Sequence, residues 1–139
     1  MESDLYNLFF CMSKEEVFKY LTNKPYKSIE DAQKELKIRL RESKKYFAIT
    51  LLNGKYIGEI YSCFLNDAYE LRFILDVDYW KKGYASEALI SVINYYIENK
   101  GAFKFIAYVD KNNIDAINVL ERLNFTKVND NNNIFTYEL

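Results

Sequence analysis

Tyr-Trp-Lys-Lys-Gly-Tyr-Ala-Ser-Glu-Ala-Leu, residues 79–89, joins an extended segment to a helical one. Behind Gly83 the apolar residues recur at the three- and four-residue spacing of an amphipathic helix. They are Ala85, Ala88, Leu89, Val92, Ile93 and Tyr96. Gly101 then stands where the C-terminus of a helix favours glycine. The pattern predicts a helix that begins just after Gly83 and ends before Gly101.

The glycine turn at the start of this helix has two interpretations. The first four N–H groups of a helix lack partners within it and carry about half a positive charge, so they bind phosphate readily. Gly83 would let an anion approach the backbone, and Lys81 and Lys82 would add charge. A plain strand-to-helix turn with solvated lysines would look the same. A Walker A loop and a three-glycine dinucleotide fingerprint are excluded, because the sequence contains neither.

The residues before the turn have the two-residue period of β-strands. Residues 46–52 and 55–65 form a predicted hairpin, and Asn53-Gly54 between them predicts a primed two-residue turn. Residues 66–68 supply the next reversal, and residues 69–76 a third antiparallel strand. Alternation divides this strand between two faces. One face carries Tyr69, Leu71, Phe73 and Leu75, and the other carries Glu70, Arg72, Ile74 and Asp76.

The N-terminal part of the chain has helical patterns. Residues 4–21 suit one or two helices. Ser28-Ile-Glu-Asp31 resembles a capping box with Asp in place of Glu, and it predicts a helix that runs to about Ser43.

The C-terminal part predicts a strand, a helix and a hairpin. Residues 103–109 are rich in β-formers and follow a helix, so we expect this strand to lie parallel to the third strand. Residues 113–123 carry a helical stripe. Residues 125–128 and 134–139 then form a hairpin that closes through 129–133. The predicted fold class is α+β: a mixed sheet with antiparallel N-terminal strands, a central parallel pair, and flanking helices.

Length and composition limit the class of protein. The 139 residues, 50% of them hydrophobic, fit one domain over 1–139. A net charge of -1 gives no general attraction for nucleic acid or an anionic membrane, so any anion must be bound locally. Cys11 and Cys63 lack metal-ligand spacing, and the chain has no histidine. With no leader-like start and no apolar run near the ~20 residues of a bilayer span, we expect a cytoplasmic, metal-free protein.

Residues 75–89 carry a family resemblance. They resemble the acetyl-coenzyme A loop of the GNAT superfamily of N-acetyltransferases, Gln/Arg-x-x-Gly-x-Gly/Ala at the head of a helix. Trp80 takes the Gln/Arg place, Gly83 that of the glycine and Ala85 that of the small residue. The form Tyr-Trp-x-Lys-Gly-Tyr-Ala-x-Glu-Ala is similar to the branch of ribosomal-protein N-terminal alanine acetyltransferases.

A second block agrees with the first. Residues 113–125 resemble the Asn-x-x-Ser/Ala…Leu-Glu-Lys-Leu-Gly-Phe block of that branch, with Asn124 in place of its glycine. The resemblance extends from about residue 13 to the C-terminus. Two departures stand out: residues 1–12 lack the family's usual first-strand sequence, so that strand is not predicted, and Leu120 takes the place of a tyrosine that often acts as general acid.

The resemblance implies an acyl-donor site and a reaction. An acetyl group would pass from acetyl-coenzyme A to a primary amine by direct attack. The pantetheine arm would lie in a splay between the two parallel strands and pair near Leu75 and Val77, and the diphosphate would lie on the N–H groups of the loop. These loop residues are Lys81, Lys82, Gly83, Tyr84, Ala85 and Ser86. Asn113 would contact the coenzyme, although a helix N-cap explains it equally well. The expected partners are acetyl-coenzyme A and an amine acceptor. Neither nucleic acid nor a membrane is expected as a partner, and a homodimer is compatible with the sequence.

Catalysis by direct attack needs a base and a donor for the attacked carbonyl. An alkyl amine is protonated near pH 7, so a carboxylate must assist its deprotonation. Glu70 is the candidate base, Glu59 is the reserve and Asp76 is less favoured. The resemblance assigns the backbone N–H of Leu75 to the carbonyl oxygen. Tyr108 could protonate the leaving sulfur.

A second interpretation of the whole chain competes with the enzyme. It is a GNAT-shaped module that binds acyl-coenzyme A without turnover.

Overall fold

Six strands and three helices make up the part of the chain that the structure, a computed structural model, describes: residues 27–41 and 45–139. The helices are α1 (Ile29–Arg41), α2 (Tyr84–Lys100) and α3 (Ile114–Arg122). The strands are β1 (Lys45–Thr50), β2 (Tyr56–Leu65), β3 (Ala68–Leu75), β4 (Phe105–Asp110), β5 (Thr126–Asn131) and β6 (Ile134–Glu138). The predicted helices of residues 4–21 and the question of a first strand lie outside the described residues. Within those residues, no helix has the length and apolar character needed to cross a membrane.

All six strands belong to one mixed sheet in the order β1-β2-β3-β4-β6-β5. β1, β2 and β3 pair antiparallel, β3 and β4 pair parallel, and β6 lies antiparallel between β4 and β5. A 3-10 turn, Val77–Tyr79, connects β3 to the loop before α2. This arrangement confirms the predicted fold class, including the central parallel pair.

The helices α2 and α3 cover the same face of the sheet, which we call the helix face. Tyr69 of β3 stacks on Tyr96 of α2 with ring centroids 4.1 Å apart. Tyr137 of β6 donates to Oε1 of Glu121 in α3 over 2.8 Å. The predicted alternation of β3 is confirmed, since Leu71 and the other apolar residues of that set pack in the core on this side. Glu70, Arg72, Ile74 and Asp76 therefore face the other way, onto what we call the second face.

The helix ends follow the capping signals of the sequence. The amide of Asp31 donates to Oγ of Ser28 over 3.3 Å, as a capping box requires. The return bond reaches one residue further back, from the amide of Lys27 to Oδ2 of Asp31 over 3.0 Å. Gly101 ends α2 in the left-handed conformation with φ 63°, and its N–H donates to the carbonyl oxygen of Ile97. Asn124 has φ 68°, so it adopts the left-handed conformation expected where the resembling block has glycine.

The predicted primed turn at Asn53-Gly54 is wrong. Of these two residues only Gly54 has a positive φ, 85°, whereas a type I′ turn requires it at both. Leu51 and Lys55 are joined by a 2.8 Å backbone bond, so the loop has three residues and ends in a left-handed glycine. The two-residue primed turn lies in the next reversal, where Asn66 and Asp67 have φ of 52° and 62°.

The terminal hairpin also differs from the prediction. Residues 129–131 belong to β5 rather than to the loop, because Asn131 pairs with Ile134. Asn132, at φ 55°, makes the reversal with Asn133 in two residues. Asparagine adopts the left-handed region more easily than other non-glycine residues, so one of several asparagines suffices for the turn.

Gly58 of β2 lets β3 approach closely. A Cβ atom at this position would overlap the carbonyl oxygen of Ile74 and lie 3.0 Å from Cα of Leu75. We expect Gly58→Ala to lower the free energy of unfolding by about 1–3 kcal/mol, the range for overpacking a close contact. Urea unfolding measures it, with Thr50→Ala as an exposed β-strand control expected within about 0.5 kcal/mol of the parent. Equal stabilities of the two variants would contradict this close approach.

Candidate functional site

The parallel strands β3 and β4 separate soon after they begin. They pair only at Tyr69 with Phe105 and at Glu70 with Ile106, although both strands are fully described. β4 continues to pair with β6 as far as Asp110, so its own course is regular. A gap between β3 and β4 therefore opens towards their C-terminal ends, as the predicted splay requires.

Backbone register directs the N–H of Leu75 into this gap. The amide of Tyr69 donates to the carbonyl oxygen of Lys104, towards β4. The amide of Asp76 donates over 2.7 Å to the carbonyl oxygen of Ile57, towards β2. Because successive backbone groups of a strand alternate in direction, Leu75 has the orientation of Tyr69. Its N–H consequently points to the side from which β4 has withdrawn.

The N-terminus of α2 lies beside the same end of the strands. Gly83 occupies the N-cap position with φ 85° and ψ 0°, and no side chain caps this helix end among the residues described. The first amide bonded within the helix is that of Glu87, which donates to the carbonyl oxygen of Gly83 over 3.1 Å. The N–H groups of the first turn are thus available to an anion, with the positive end of the helix dipole behind them.

A cavity of about 360 Å³ opens in front of this helix end. From the strand, the loop and α2 it is lined by Leu75, Tyr79, Lys81, Gly83, Tyr84, Ala85 and Ser86. From α3 it is lined by Asp115, Asn118, Val119 and Arg122. Lys81 and Arg122 thus bring positive charge from two elements to one cavity, which suits an anionic ligand.

Ser86 provides an independent sign that a ligand belongs in this cavity. Its Oγ is buried and has no hydrogen-bond partner among the residues that the structure describes. Buried hydroxyl groups are nearly always bonded, because leaving one unsatisfied costs about 1–3 kcal/mol. A phosphate oxygen at the N-terminus of α2 would accept from this hydroxyl, so the residues present fit a diphosphate-bearing coenzyme.

A protein-family model agrees with this geometry. The model described as acetyltransferase (GNAT) domain matches residues 1–126. The chain belongs to the GNAT acetyltransferase domain family. The predicted class of enzyme, an acyl-coenzyme A-dependent N-acetyltransferase of the GNAT type, is thereby confirmed. No curated protein matches the chain in sequence.

Solved GNAT structures share the fold at low sequence identity. A GNAT-family acetyltransferase from Bacillus anthracis superposes with a TM-score of 0.87 at 20% identity, over 100% of this chain and 90% of that one. A spermidine N-acetyltransferase from Vibrio cholerae, in complex with CoA and spermine, has a TM-score of 0.83 at 15% identity, over 100% of this chain and 90% of that one. An N-acetyltransferase from Campylobacter jejuni, in complex with acetyl coenzyme A, has a TM-score of 0.67 at 23% identity, over 79% of this chain and 77% of that one.

Three of the predicted coenzyme residues of this GNAT domain lie outside the cavity lining. Lys82 is exposed, and its Nζ lies 5.6 Å from the ring centroid of Tyr79. Val77 begins the 3-10 turn and is separated from Leu75 by Asp76. Asn113 caps α3, with its Oδ1 accepting from the amide of Ala116 over 3.3 Å. The capping interpretation thus accounts for Asn113, and the coenzyme roles of all three remain predictions.

The candidate base Glu70 lies on the second face, at the point where β3 and β4 separate. It is the last β3 residue paired with β4, and its side chain is 15% exposed. Its Oε1 accepts from Nε of Arg72 over 2.8 Å, which fixes the direction of the carboxylate. The reserve candidate Glu59 is 4% exposed and accepts from the hydroxyl of Tyr56 over 2.9 Å. Asp76 is 3% exposed and accepts from the amide of Asp78.

The candidate proton donors differ sharply in their surroundings. Tyr108 lies on the second face of β4 and is 51% exposed. Leu120, at the family's tyrosine position, is 1% exposed in the core of α3. Tyr61 lies opposite Arg72, whose guanidinium carbon is 5.3 Å from its ring centroid. Burial, followed by a hydrogen bond with Cys63, raises the pKa of Tyr61 to about 12, so its hydroxyl stays protonated at neutral pH.

The α3 residues of the cavity were not identified from the sequence. Asp115, Asn118 and Arg122 follow one another at helical spacing, which was the available signal. The hydrogen bond from Trp80 Nε1 to the carbonyl oxygen of Leu75, 2.8 Å long, was also missed. It joins side chain to backbone across a turn, and no periodic pattern reports such a contact.

A second cavity, about 870 Å³, lies between β1 and α2. Phe47, Ile49, Val92 and Tyr95 give it an apolar lining, and its one charged lining residue is Glu87. Among the described residues no cation balances Glu87 in this cavity, whereas Lys81 and Arg122 outweigh Asp115 in the smaller one. The smaller cavity at the N-terminus of α2 is therefore the better candidate site for a diphosphate despite its size.

Proposed function

We propose that this GNAT domain transfers an acetyl group from acetyl-coenzyme A to a primary amine. The observation that carries the proposal is the open N-terminus of α2, where Ser86, whose hydroxyl has no partner in the described part of the chain, lines a cavity that reaches Leu75. The diphosphate would rest on the amides of Gly83 to Ser86, with Lys81 and Arg122 at its sides. Bound there, the coenzyme supplies a thioester whose acyl carbon an amine can attack.

The residues around the gap then have distinct roles. The N–H of Leu75, directed into the gap, donates to the carbonyl oxygen as negative charge develops on it. Glu70 takes the proton of the attacking amine, directly or through one water, on the second face. Arg72 keeps the carboxylate in place through the 2.8 Å ion pair. Tyr108 or water returns a proton to the sulfur.

The acceptor class follows from the charges on the second face. Glu59 and Glu70 lie on adjacent strands of this face and Asp76 directly follows β3, so three carboxylates stand against the one cation Arg72 among these residues, which favours a cationic amine. The Vibrio cholerae neighbour is named for spermidine, and the loop motif resembles that of N-terminal alanine acetyltransferases. We propose a small-molecule amine or a protein N-terminus as the acceptor, in the cytoplasm.

Coenzyme binding and turnover separate this proposal from a non-catalytic module. Isothermal titration should detect binding of acetyl-coenzyme A, and a thiol-reactive dye should then detect coenzyme A release with at least one amine. The panel should contain spermidine, peptides beginning with alanine, and aminoglycosides. Binding without thiol release across this panel would favour the module, for which Trp80 and Leu120 are the supporting departures. Absence of binding would contradict both functions.

A further inference from the structure

We infer that Trp80 is a positioning residue for the proposed acetyl transfer. Its indole holds the end of β3 so that the N–H of Leu75 stays directed into the gap between β3 and β4. The inference rests on the proposed function, because it concerns the donor that faces the attacked carbonyl. Its structural part, the fixing of one peptide group, can be measured without any substrate.

The peptide group between Leu75 and Asp76 is held from both sides. Its N–H donates to the carbonyl oxygen of Ile57 over 2.7 Å. Its C=O accepts from Nε1 of Trp80 over 2.8 Å. Two short bonds in opposite directions fix the rotation of this peptide plane, which restrains the adjoining backbone of Leu75 that carries the preceding N–H. Beyond the last β3–β4 pair, no strand of the described ranges 27–41 and 45–139 pairs with β3 on the gap side to hold it there.

The path of the chain brings Trp80 back onto the strand that it follows. Within the 3-10 turn, the amide of Tyr79 donates to Asp76 over 2.9 Å and that of Trp80 to Val77 over 3.2 Å. The turn is tightened further by the bond from the amide of Asp78 to Oδ1 of Asp76. The ring of Trp80 packs against the core, so the indole N–H has a defined direction. Because the indole nitrogen is a donor only, a carbonyl oxygen is a fitting partner for it.

The Trp80 bond also decides which group Leu75 offers to the gap. With its carbonyl oxygen already accepting from the indole, Leu75 presents its N–H to that side beside an acceptor that is engaged. An N–H donor suits an oxygen that gains negative charge during attack. Trp80 thereby connects the anion-binding loop before α2 to the strand that would face the thioester.

Trp80→Phe tests the inference, because phenylalanine keeps an aromatic ring and removes the N–H. Amide hydrogen exchange of the free protein, followed by NMR, should show exchange of the Asp76 amide accelerated about five- to tenfold, the loss expected for one hydrogen bond. Amides in the middle of α2 should exchange at the parent rate. The matched control is Tyr137→Phe, which removes one aromatic donor group from the distant bond to Glu121 and should leave Asp76 unaffected.

Kinetics of the same variant test the positioning role. We expect kcat to fall about five- to tenfold while the Kd for coenzyme A stays near the parent value. Unchanged exchange at Asp76, uniformly faster exchange throughout the molecule, or an unchanged kcat would each overturn the inference. Failure of the proposed function is distinguishable, since it would show as missing coenzyme binding in the unmodified protein while the exchange result stayed readable.

Discussion

Glu70→Gln should lower kcat at saturating acetyl-coenzyme A about 100- to 1,000-fold, within the range that a positioned general base contributes. Glutamine keeps the shape of the side chain and can still contact Arg72, but it cannot accept a proton from an amine. Glu70 lies on the second face, away from the cavity that would hold the diphosphate, so the affinity for coenzyme should stay nearly constant. Steady-state kinetics with the best acceptor, together with calorimetric titration of coenzyme A, measures both quantities.

Two further variants make this experiment decisive. Glu138→Gln is a matched control, because Glu138 is also ion-paired, to Lys104 at 3.3 Å, and lies in the same row of the sheet. Ile106 of β4 lies between the two glutamates: it pairs with Glu70 of β3 on one side and with Glu138 of β6 on the other. Glu138 is therefore separated from β3 by the whole width of β4. Its kcat should match the parent. If Glu59→Gln lowers kcat in place of Glu70→Gln, the reserve candidate is the base and the role assigned to Glu70 is wrong.

The architecture was predictable because its signals are local or periodic. The alternation of β3 separated Leu71 from Glu70 correctly, and the helical spacing behind Gly83 predicted α2 up to its glycine cap. The parallel pairing followed from a strand, a helix and a strand in succession. Even the left-handed Asn124 could be expected, since asparagine is one of the few residues that replace glycine there.

The turns show the limit of local signals. Asn-Gly favours a primed turn, but the bond between Leu51 and Lys55 makes the loop one residue longer and leaves only Gly54 left-handed. Loop length depends on how two strands pair over their full length. The dipeptide signal identified the reversal correctly and gave the wrong geometry for it.

The candidate site likewise has one part that the sequence predicted and one part that it did not. Lys81 and the residues from Gly83 to Ser86, which line the cavity, could be predicted because one contiguous motif contains them and the start of α2. Arg122 could not, because it joins the site only through the packing of α3 beside α2. The contact of Trp80 with Leu75 likewise depends on how the 3-10 turn folds back. Contacts between elements are therefore the part of this site that needed the structure.

Gly83→Gln should weaken coenzyme binding about 10- to 100-fold, because the new side chain would stand where the diphosphate is expected. The backbone of Gly83 has φ 85°, and among the described residues no atom beyond its chain neighbours lies within 4 Å of a Cβ built there. The side chain would therefore extend into the open space at the head of α2. An anion at a helix N-terminus contributes up to about 2 kcal/mol in favourable geometries, and 1.4 kcal/mol corresponds to a factor of ten. Calorimetric titration with coenzyme A measures the change.

Gly101→Gln is the matched control for backbone strain. Gly101 ends the same helix at φ 63°, and a Cβ built there also meets nothing within 4 Å. Both variants force a side chain into the left-handed region, at about 1–2 kcal/mol each, so urea unfolding should show similar losses of stability. Only the substitution at the N-terminus of α2 should reduce affinity for the coenzyme. Equal affinities in the two variants would mean that the diphosphate does not rest on the amides after Gly83, and the proposed acyl-donor site would be wrong.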